Sequence, residues 1–360
     1  MANPPGAPCN PFLSHAFLLA LEQSGSATRQ SGWQPAHLLL EDHGTLIGAA
    51  PMYVKSHSYG EYVFDHGWAQ AFERAGGAYY PKLQITVPFT PASGPRLLTG
   101  GNSHHRQALA RAVMAFAQKL ELSSVHITFQ QQDEAEALTQ LGFLPRHDQQ
   151  FHWQNAGYRT FDEFLSALSA IKRKNLRRER KEALSAGIEI ELLTGSDLGE
   201  AHWDAFFEFY TDTGSRKWGS PYLTRNFFSL ISQSMADQTL LIMAKRQGRT
   251  IAGALNFIGS DTLYGRNWGA IEHHPFLHFE LCYYQAIEFA ISKGLKTVEA
   301  GAQGEHKLAR GYLPVRTYSS HWIAHPGLRD AVARYLKEER RAIGEAIEEL
   351  GEHSPFRKPE

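Results

Sequence analysis

The sequence predicts an α/β (α+β) protein made of two copies of one unit, each a mixed, mostly antiparallel sheet flanked by helices. Three observations indicate this architecture. The same order of strands and helices occurs twice, each copy opens with a strand hairpin, and a basic helix separates the copies. At 360 residues and 42% hydrophobic content, the chain can also bury the cores of roughly two domains.

The first copy begins with a predicted hairpin. Strand-like patterns at 37–41 and 46–54 flank the turn Asp42-His43-Gly44. Another short strand is predicted at 85–89, followed by a helix that Asn102 or Ser103 caps. The copy continues with a strand, a short helix and a helix stop, which lie in order at 125–129, 133–141 and Gly142-Phe143.

The second copy repeats this order. Strands are predicted at 239–245, 250–257 and 262–268, and an amphipathic helix at about 279–293 ends at Gly294. A buried strand at 297–299 leads into a glycine-rich segment, and a final strand follows at 317–323. The repeated order indicates a duplicated unit.

A separate helix is predicted between the copies. Thr160 and Glu163 form a capping-box pattern, and Gly187 ends the segment. Seven of the ten residues from Lys172 to Lys181 are basic, which indicates either a solvated helix face or a phosphate site. The predicted domains are a first unit at 11–157, a basic linker helix at 158–187, a second unit at 188–330, a C-terminal helix at 331–350 and a tail at 351–360.

Composition excludes several classes of protein. A formal net charge of −1 argues against a protein that coats nucleic acid. Two cysteines cannot form a disulfide framework, and the 18 histidines lack zinc-ligand spacing, so no metal is expected. The sequence has no long apolar span and no signal-peptide pattern, so we expect a cytoplasmic protein without stable membrane insertion.

The segment 299–314 combines glycines with reactive side chains. Glycine permits close approach of a backbone to a ligand, while a carboxylate, an imidazole, an ammonium and a guanidinium offer proton transfer and anion binding. We therefore expect part of the active site here, with the following residues as candidates: Glu299, Gly301, Gln303, Gly304, Glu305, His306, Lys307, Arg310 and Tyr312.

The order of elements resembles the GNAT N-acyltransferase fold, and two such units with a basic helix between them resemble the FemAB-type peptidoglycan-bridge aminoacyltransferases. Longer motifs are similar to the FemAB-like N-acyltransferase family over about residues 11–326. These motifs are Pro81-Lys82-Leu83, Val87-Pro88-Phe89-Thr90-Pro91, Gly94-Pro95-Arg96, Leu277-His278-Phe279-Glu280-Leu281-Cys282-Tyr283-Tyr284-Gln285 and Gly301-Ala302-Gln303-Gly304-Glu305-His306-Lys307.

This resemblance implies the transfer of an acyl or aminoacyl group to an amine, with no permanently bound cofactor. It points to cell-wall precursor or related metabolism. The donor co-substrate it implies is acyl-CoA or aminoacyl-tRNA. GNAT enzymes bind the donor pyrophosphate with a loop that Arg96, Gly100 and Gly101 match only approximately. A tRNA donor would give the basic helix a partner, through Lys172, Arg177 and Arg178. The acceptor would be a small-molecule or cell-wall-precursor amine.

Amine acylation requires a base and a group that polarises the carbonyl. Glu280, Glu299 and His306 are the candidate catalytic residues, because an apolar setting raises a carboxylate pKa and histidine titrates near neutrality. Each of these residues also has a non-catalytic interpretation. Glu280 is then an acid that the dipole favours in the first turn of a helix, Glu299 a partner in an ion pair, and His306 an exposed loop residue. Asp65, Lys82, Trp268, His278 and Tyr283 are further candidate binding residues, with surface pairing or core filling as the alternative.

Two other classes of function stay open at this point. One is a non-catalytic binding module with a degenerate acyltransferase fold, which would recognise an anionic partner through the basic helix. The other is a hydrolase that activates water at Glu280 and His306, although no Gly-x-Ser-x-Gly elbow is present. The sequence leaves the oligomeric state undetermined.

Overall fold

The computed structural model describes residues 9–217, 221–301 and 304–357. Packing divides these residues into two compact units, one of 9–149 with 316–348 and the other of 150–315 with 349–357. The chain therefore returns to the first unit near its end, whereas the sequence analysis expected continuous segments. The reason is long-range pairing, because the late strand that contains Arg316 hydrogen-bonds to a strand of the first unit.

The first unit contains a five-strand sheet in the order β1-β4-β5-β6-β13. Only β5 and β6 pair in parallel. The predicted hairpin at Asp42-His43-Gly44 is confirmed, but β2 and β3 form a separate two-stranded sheet. The predicted strand at 85–89 lies earlier in the chain. The strand bounds are β1 Trp33–Pro35, β2 Leu38–Asp42, β3 Thr45–Ala50, β4 Met52–Lys55, β5 Lys82–Ile85, β6 Ser124–Gln130 and β13 Leu313–Ile323.

Helices cover the sheet of the first unit. As predicted, Asn102 caps α3, because its Oδ1 atom accepts the backbone N–H groups of His104 and His105. Leu109 and Val113 of α3 pack with Ile127 of β6 in the core. The helix bounds are α1 His15–Gln23, α2 His66–Arg74, α3 Ser103–Lys119, α4 Gln132–Gln140 and α11 Pro326–Glu352, the last of which ends in residues of the second unit.

The second unit contains a sheet in the order β7-β12-β11-β10-β9-β8. Only β11 and β12 pair in parallel. The strands predicted from 239 to 299 are confirmed within a few residues, whereas β8 escaped prediction. The strand bounds are β7 Leu144–Gln154, β8 Ile188–Thr194, β9 Thr239–Arg246, β10 Arg249–Ile258, β11 Thr262–Ala270 and β12 Thr297–Glu299.

The helices of the second unit include two interruptions that periodicity did not predict. The basic helix is two helices, α5 (Phe161–Ala167) and α6 (Ala170–Ala183), because the backbone at Leu168 is extended. The predicted helix at 279–293 is α9 (Leu277–Phe279), a π-helical turn (Glu280–Tyr284) and α10 (Gln285–Ser292). Helices α7 (Glu200–Lys217) and α8 (Arg225–Ser234) were not predicted.

No helix within the described residues is long and apolar enough to cross a membrane.

Candidate functional site

The sheet of the second unit opens where β11 and β12 part. The two strands pair only from Thr262 to Tyr264, after which β12 ends at Glu299 and β11 continues to Ala270. The pairing of β10 with β11 also shifts here, since Leu255 faces Asn267 while Asn256 faces Gly265. This shift leaves Arg266 as an extra residue, the pattern of a β-bulge.

A cavity of about 90 Å³ lies at this opening. Gly265 helps to keep it open, because a Cβ atom there would lie 3.3 Å from the Glu299 carbonyl and 3.4 Å from Asn256 Oδ1. The cavity is therefore a product of strand divergence and of a missing side chain. The residues that line it are Ala254, Leu255, Asn256, Gly265, Arg266, Asn267, Trp268, His278, Cys282, Tyr283 and Ala300.

The π-helical turn shapes the helical wall of the cavity. Its Cys282 and Tyr283 line the cavity, and its Leu281, Tyr283 and Tyr284 pack in the hydrophobic core. Single π-helical turns inside α-helices are frequent at functional sites. The turn thus places two polar side chains at the cavity.

Tyr283 connects the cavity to His306. The Tyr283 hydroxyl and His306 Nε2 are 2.9 Å apart, within hydrogen-bond distance. Burial raises the pKa of Tyr283, so the phenol stays protonated. Burial, followed by the charges of Arg310 and Lys307, lowers the pKa of His306 below the ordinary value. At neutral pH, the imidazole is therefore neutral and able to accept a proton.

Lys307 is a buried cation beside the same opening. Its side chain is 2% exposed, and Nζ donates a hydrogen bond to the carbonyl of Gly301 at 2.9 Å, next to the cavity residue Ala300. Among the residues that the structure describes, no carboxylate pairs with it. Burial lowers its pKa to about 8.

Arg310 and Tyr312 are buried beside the segment that carries His306 and Lys307. The Arg310 guanidinium donates to Glu179 at 2.8 Å and to the His306 carbonyl at 2.7 Å. It also stacks over the ring of Phe279. Tyr312 is fully buried. Arg310 is thus engaged inside the protein, where its contacts hold the His306 loop, and its anion-binding role stays a prediction.

The predicted base Glu280 is part of a buried ion pair. Arg180 donates to its carboxylate at 2.8 Å, and Gln285 donates at 2.8 Å as well. A fully buried carboxylate with these partners favours a structural role over proton transfer. Glu299 ends β12, where its backbone lies opposite Tyr264 and His152.

Asp65 and Lys82 lie in the interior of the first unit. Lys82 Nζ donates to Asp65, to Glu61 at 2.8 Å and to Ser58 at 2.8 Å. All four side chains are buried. They form an internal polar network away from the cavity residues described above, and their pocket-lining role stays a prediction.

Two N–H groups of the loop predicted to bind a pyrophosphate are paired inside the protein. Arg96 is fully buried, and its guanidinium donates to the carbonyls of Ala92 at 2.6 Å and Thr128 at 2.8 Å. The Glu134 carboxylate accepts the N–H groups of Arg96 and Leu97 at 2.9 and 2.7 Å. Burial raises the pKa of Glu134 to about 7. An acidic side chain thus pairs with two N–H groups at the start of the loop predicted to bind the coenzyme A pyrophosphate.

The neighbouring glycines and the basic helix face solvent. Gly100 and Gly101 are exposed and have left-handed φ angles of 61° and 86°. In α6, Arg177 and Arg178 are exposed and Lys172 is partly exposed. Arg177 makes a surface ion pair with Asp162 at 3.3 Å. A surface of this kind is open to a phosphate-rich partner.

Of the other predicted residues, Trp268 and His278 line the cavity with their ring centroids 5.2 Å apart. Gly301 has a φ of 76°. Gly304 has a φ of 117°, and a Cβ atom there would lie 2.5 Å from the His306 ring. Gln303 and the side chain of Glu305 lie outside the part of the chain that the structure describes.

Sequence reasoning missed eight of the cavity residues, among them Asn256, Gly265 and Cys282. Asn256 is a polar residue within an otherwise apolar buried strand, which was the available signal. Gly265 and Cys282 gave weaker signals, because strand glycines and helix cysteines are common core residues. Only the divergence of β11 and β12 assigns all three to one cavity.

Comparisons with known proteins show the family and the fold. A family model described as FemAB-like, peptidoglycan biosynthesis/recognition, matches residues 3–358. The fold is similar to that of FemX, with a TM-score of 0.55 and 12% identity over 90% of this chain and 98% of FemX. It is also similar to L-PGS from Bacillus licheniformis, with a TM-score of 0.56 and 8% identity over 90% of this chain and 97% of L-PGS. No curated protein sequence matches the chain. Because the family model spans nearly all of the sequence, the chain belongs to the FemAB-like family.

Proposed function

We propose that this protein transfers an acyl or aminoacyl group to an amine at the cavity between β11, β12 and the π-helical turn. The FemAB-like assignment confirms the predicted acyltransferase class. The family description, peptidoglycan biosynthesis/recognition, supports a cell-wall precursor as the source of the acceptor amine.

The observation that carries the proposal is the buried Lys307 ammonium. Attack of an amine on an acyl carbonyl places negative charge on the carbonyl oxygen, and a preorganised cation in a dry site stabilises that charge. Lys307 is such a cation, since its Nζ contacts a carbonyl and no carboxylate among the described residues. A ligand oxygen next to Ala300 would complete its coordination.

Tyr283 and His306 supply the proton path. A protonated Tyr283 hydroxyl donates to the neutral Nε2 of His306, so a proton taken from the attacking amine by the phenol oxygen displaces the phenol proton onto the imidazole. His306 is exposed and can return this proton to the leaving group or to solvent. This relay replaces the Glu280 base of the sequence analysis.

The basic surface of α6 favours aminoacyl-tRNA as the donor of the transferred group. The basic face of α6 is exposed and carries several cations in an otherwise neutral chain. Cations of this kind bind nucleic-acid phosphates. Conversely, Glu134 already occupies two N–H groups of the loop expected for the coenzyme A pyrophosphate.

The test measures donor consumption with and without an amine-bearing peptidoglycan precursor. A charged tRNA pool and an acyl-CoA mixture serve as alternative donors, and mass spectrometry identifies the product. We expect amine-dependent consumption of the charged tRNA, which Lys307→Met abolishes and the exposed-site control Lys293→Met retains.

Other results would contradict the proposal. Consumption without an amine indicates the hydrolase, and tight precursor binding without consumption of either donor indicates the binding module. Consumption of acyl-CoA alone retains the transferase but rejects the tRNA donor.

A further inference from the structure

Asn256 presents an unshared hydrogen-bond acceptor to the cavity. Its side chain is 1% exposed and lines the cavity. Nδ2 donates to the Ala254 carbonyl at 3.3 Å, and Oδ1 accepts no hydrogen bond from any residue that the structure describes. Because a carbonyl only accepts, the contact with Ala254 fixes which end of the amide is oxygen.

The direction of this oxygen follows from Gly265. A Cβ atom at Gly265, which also lines the cavity, would lie 3.4 Å from Asn256 Oδ1. The oxygen therefore points toward the space that the absent side chain leaves. An acceptor that no described protein group pairs favours a ligand that brings a hydrogen-bond donor.

The charges around the cavity indicate which kind of hydrogen-bond donor binds there. The Lys307 ammonium lies beside the cavity, and no aspartate or glutamate is among the described residues that line it. Positive surroundings lower the pKa of a bound amine and favour its neutral form. A neutral amine still offers N–H groups, and it has the free electron pair that attack on a carbonyl requires.

We propose that Asn256 binds and orients the acceptor amine by accepting one of its N–H groups. This inference rests on the proposed function and names the acceptor subsite of the same cavity. The amine nitrogen forms the new C–N bond while the C–O or C–S bond of the donor breaks, and the proton it loses passes through Tyr283 to His306. A cavity of about 90 Å³ accommodates a few non-hydrogen atoms, so it takes the primary-amine end of a longer arm.

Cys282 provides a readout that does not depend on turnover, because it lines the same cavity. The chain has two cysteines, so Cys9→Ser leaves this thiol as the sole label site. Methyl methanethiosulfonate modification, followed by mass spectrometry, reports occupancy of the cavity by an added amine. The ratio of rates with and without the amine cancels the pH dependence of the thiol itself.

The probes are butylamine, which resembles an acceptor side chain, and N,N-dimethylbutylamine, whose neutral form has no N–H group. We expect butylamine to protect Cys282 increasingly as pH rises and the amine becomes neutral. We expect the dimethyl compound to protect weakly. Asn256→Leu should weaken protection by butylamine about tenfold, the effect of losing one hydrogen bond.

Asn256→Asp separates a direct contact from a structural role. Its carboxylate should bind the protonated amine, so protection should become stronger at neutral than at alkaline pH. Undiminished protection in Asn256→Leu, or an unchanged pH trend in Asn256→Asp, would overturn the proposal.

A final arm identifies the source of the amine. Alaninamide resembles the α-amine of an aminoacyl donor, and stronger protection by it than by butylamine would overturn the acceptor assignment. Because protection requires no catalysis, a protein that shows the expected protection but no transfer would refute the proposed function and leave this subsite intact.

Discussion

The Tyr283 hydroxyl lies 2.9 Å from Nε2 of His306, which joins a cavity residue to an exposed imidazole. The two groups come from the π-helical turn and from the 3₁₀ segment Glu305–Arg310. Their pKa values move apart, since that of Tyr283 is raised and that of His306 is lowered. This separation leaves a protonated phenol beside a neutral imidazole, the arrangement that a proton relay needs.

The relay makes activity depend on a neutral His306. We expect kcat/KM to fall as pH drops through the pKa of His306, which lies below that of an ordinary histidine because burial disfavours the charged ring. His306→Ala and Tyr283→Phe should each reduce kcat/KM by about 10²-fold or more. The measurement is a pH–rate profile of each variant, with Tyr158→Phe as the control. A Tyr283→Phe enzyme with normal kcat/KM would disprove the relay.

Lys307 should cost the protein stability while it serves activity. Its pKa falls from 10.5 to about 8 on folding, so below pH 8 the ammonium is charged in both states and its burial destabilises the native state. Lys307→Met should therefore raise the free energy of unfolding near pH 7 by at most about 3 kcal/mol. The gain should shrink as pH rises from 8 and vanish above 10.5. Urea unfolding at several pH values tests this, and a loss of stability at pH 7 would contradict it.

Glu280 and Glu288 both contact Arg180 but differ in burial, which gives a matched pair. Glu280 is fully buried, whereas the Glu288 side chain is 49% exposed. We expect Glu280→Gln to lower the free energy of unfolding by about 3 kcal/mol, because it leaves Arg180 without its buried partner. Glu288→Gln should cost less than about 1 kcal/mol. Equal losses in chemical denaturation would argue against the structural role of Glu280.

The basic face of α6 should bind an RNA donor through its phosphates. Arg177→Ala combined with Arg178→Ala should weaken tRNA binding and reduce the slope of log K against log salt by about 1 to 2, since each contact releases counterions. Arg334→Ala with Lys337→Ala, at exposed positions of α11, is the charge-matched control. Fluorescence anisotropy across a salt series measures the slope for each double variant. Identical slopes in the two variants would indicate that the basic residues of α6 form a solvated helix face without a role in RNA binding.

Glu134 should stabilise the loop that leads to α3. Glu134→Ala leaves the N–H groups of Arg96 and Leu97 without their partner, and each buried unsatisfied donor costs about 1–3 kcal/mol. The neighbouring Asp133 pairs with Arg106 at the surface, so Asp133→Ala should cost less than about 1 kcal/mol. Thermal unfolding compares the two. If Glu134→Ala were as stable as Asp133→Ala, the carboxylate would not be holding the loop.

Local patterns were sufficient for much of the fold. The Asn102 cap, the turn at Asp42-His43-Gly44 and the strands around β10 were predicted correctly, because each depends on neighbouring residues. The FemAB-like resemblance is confirmed by a family model over nearly the whole chain. The break at Leu168 and the π-helical turn were missed, because apolar spacing does not reveal a change in backbone hydrogen bonding.

The sequence by itself determined the duplicated order of elements, the family and the segment that carries His306 and Lys307. The tertiary structure decided the chemistry. Glu280 acquired Arg180 as a partner from 100 residues away, and Lys307 was buried without a described carboxylate. Asn256 reached the cavity only because two strands diverge. The physical reason is that periodicity and capping are local, whereas desolvation and ion pairing depend on residues far apart in the chain.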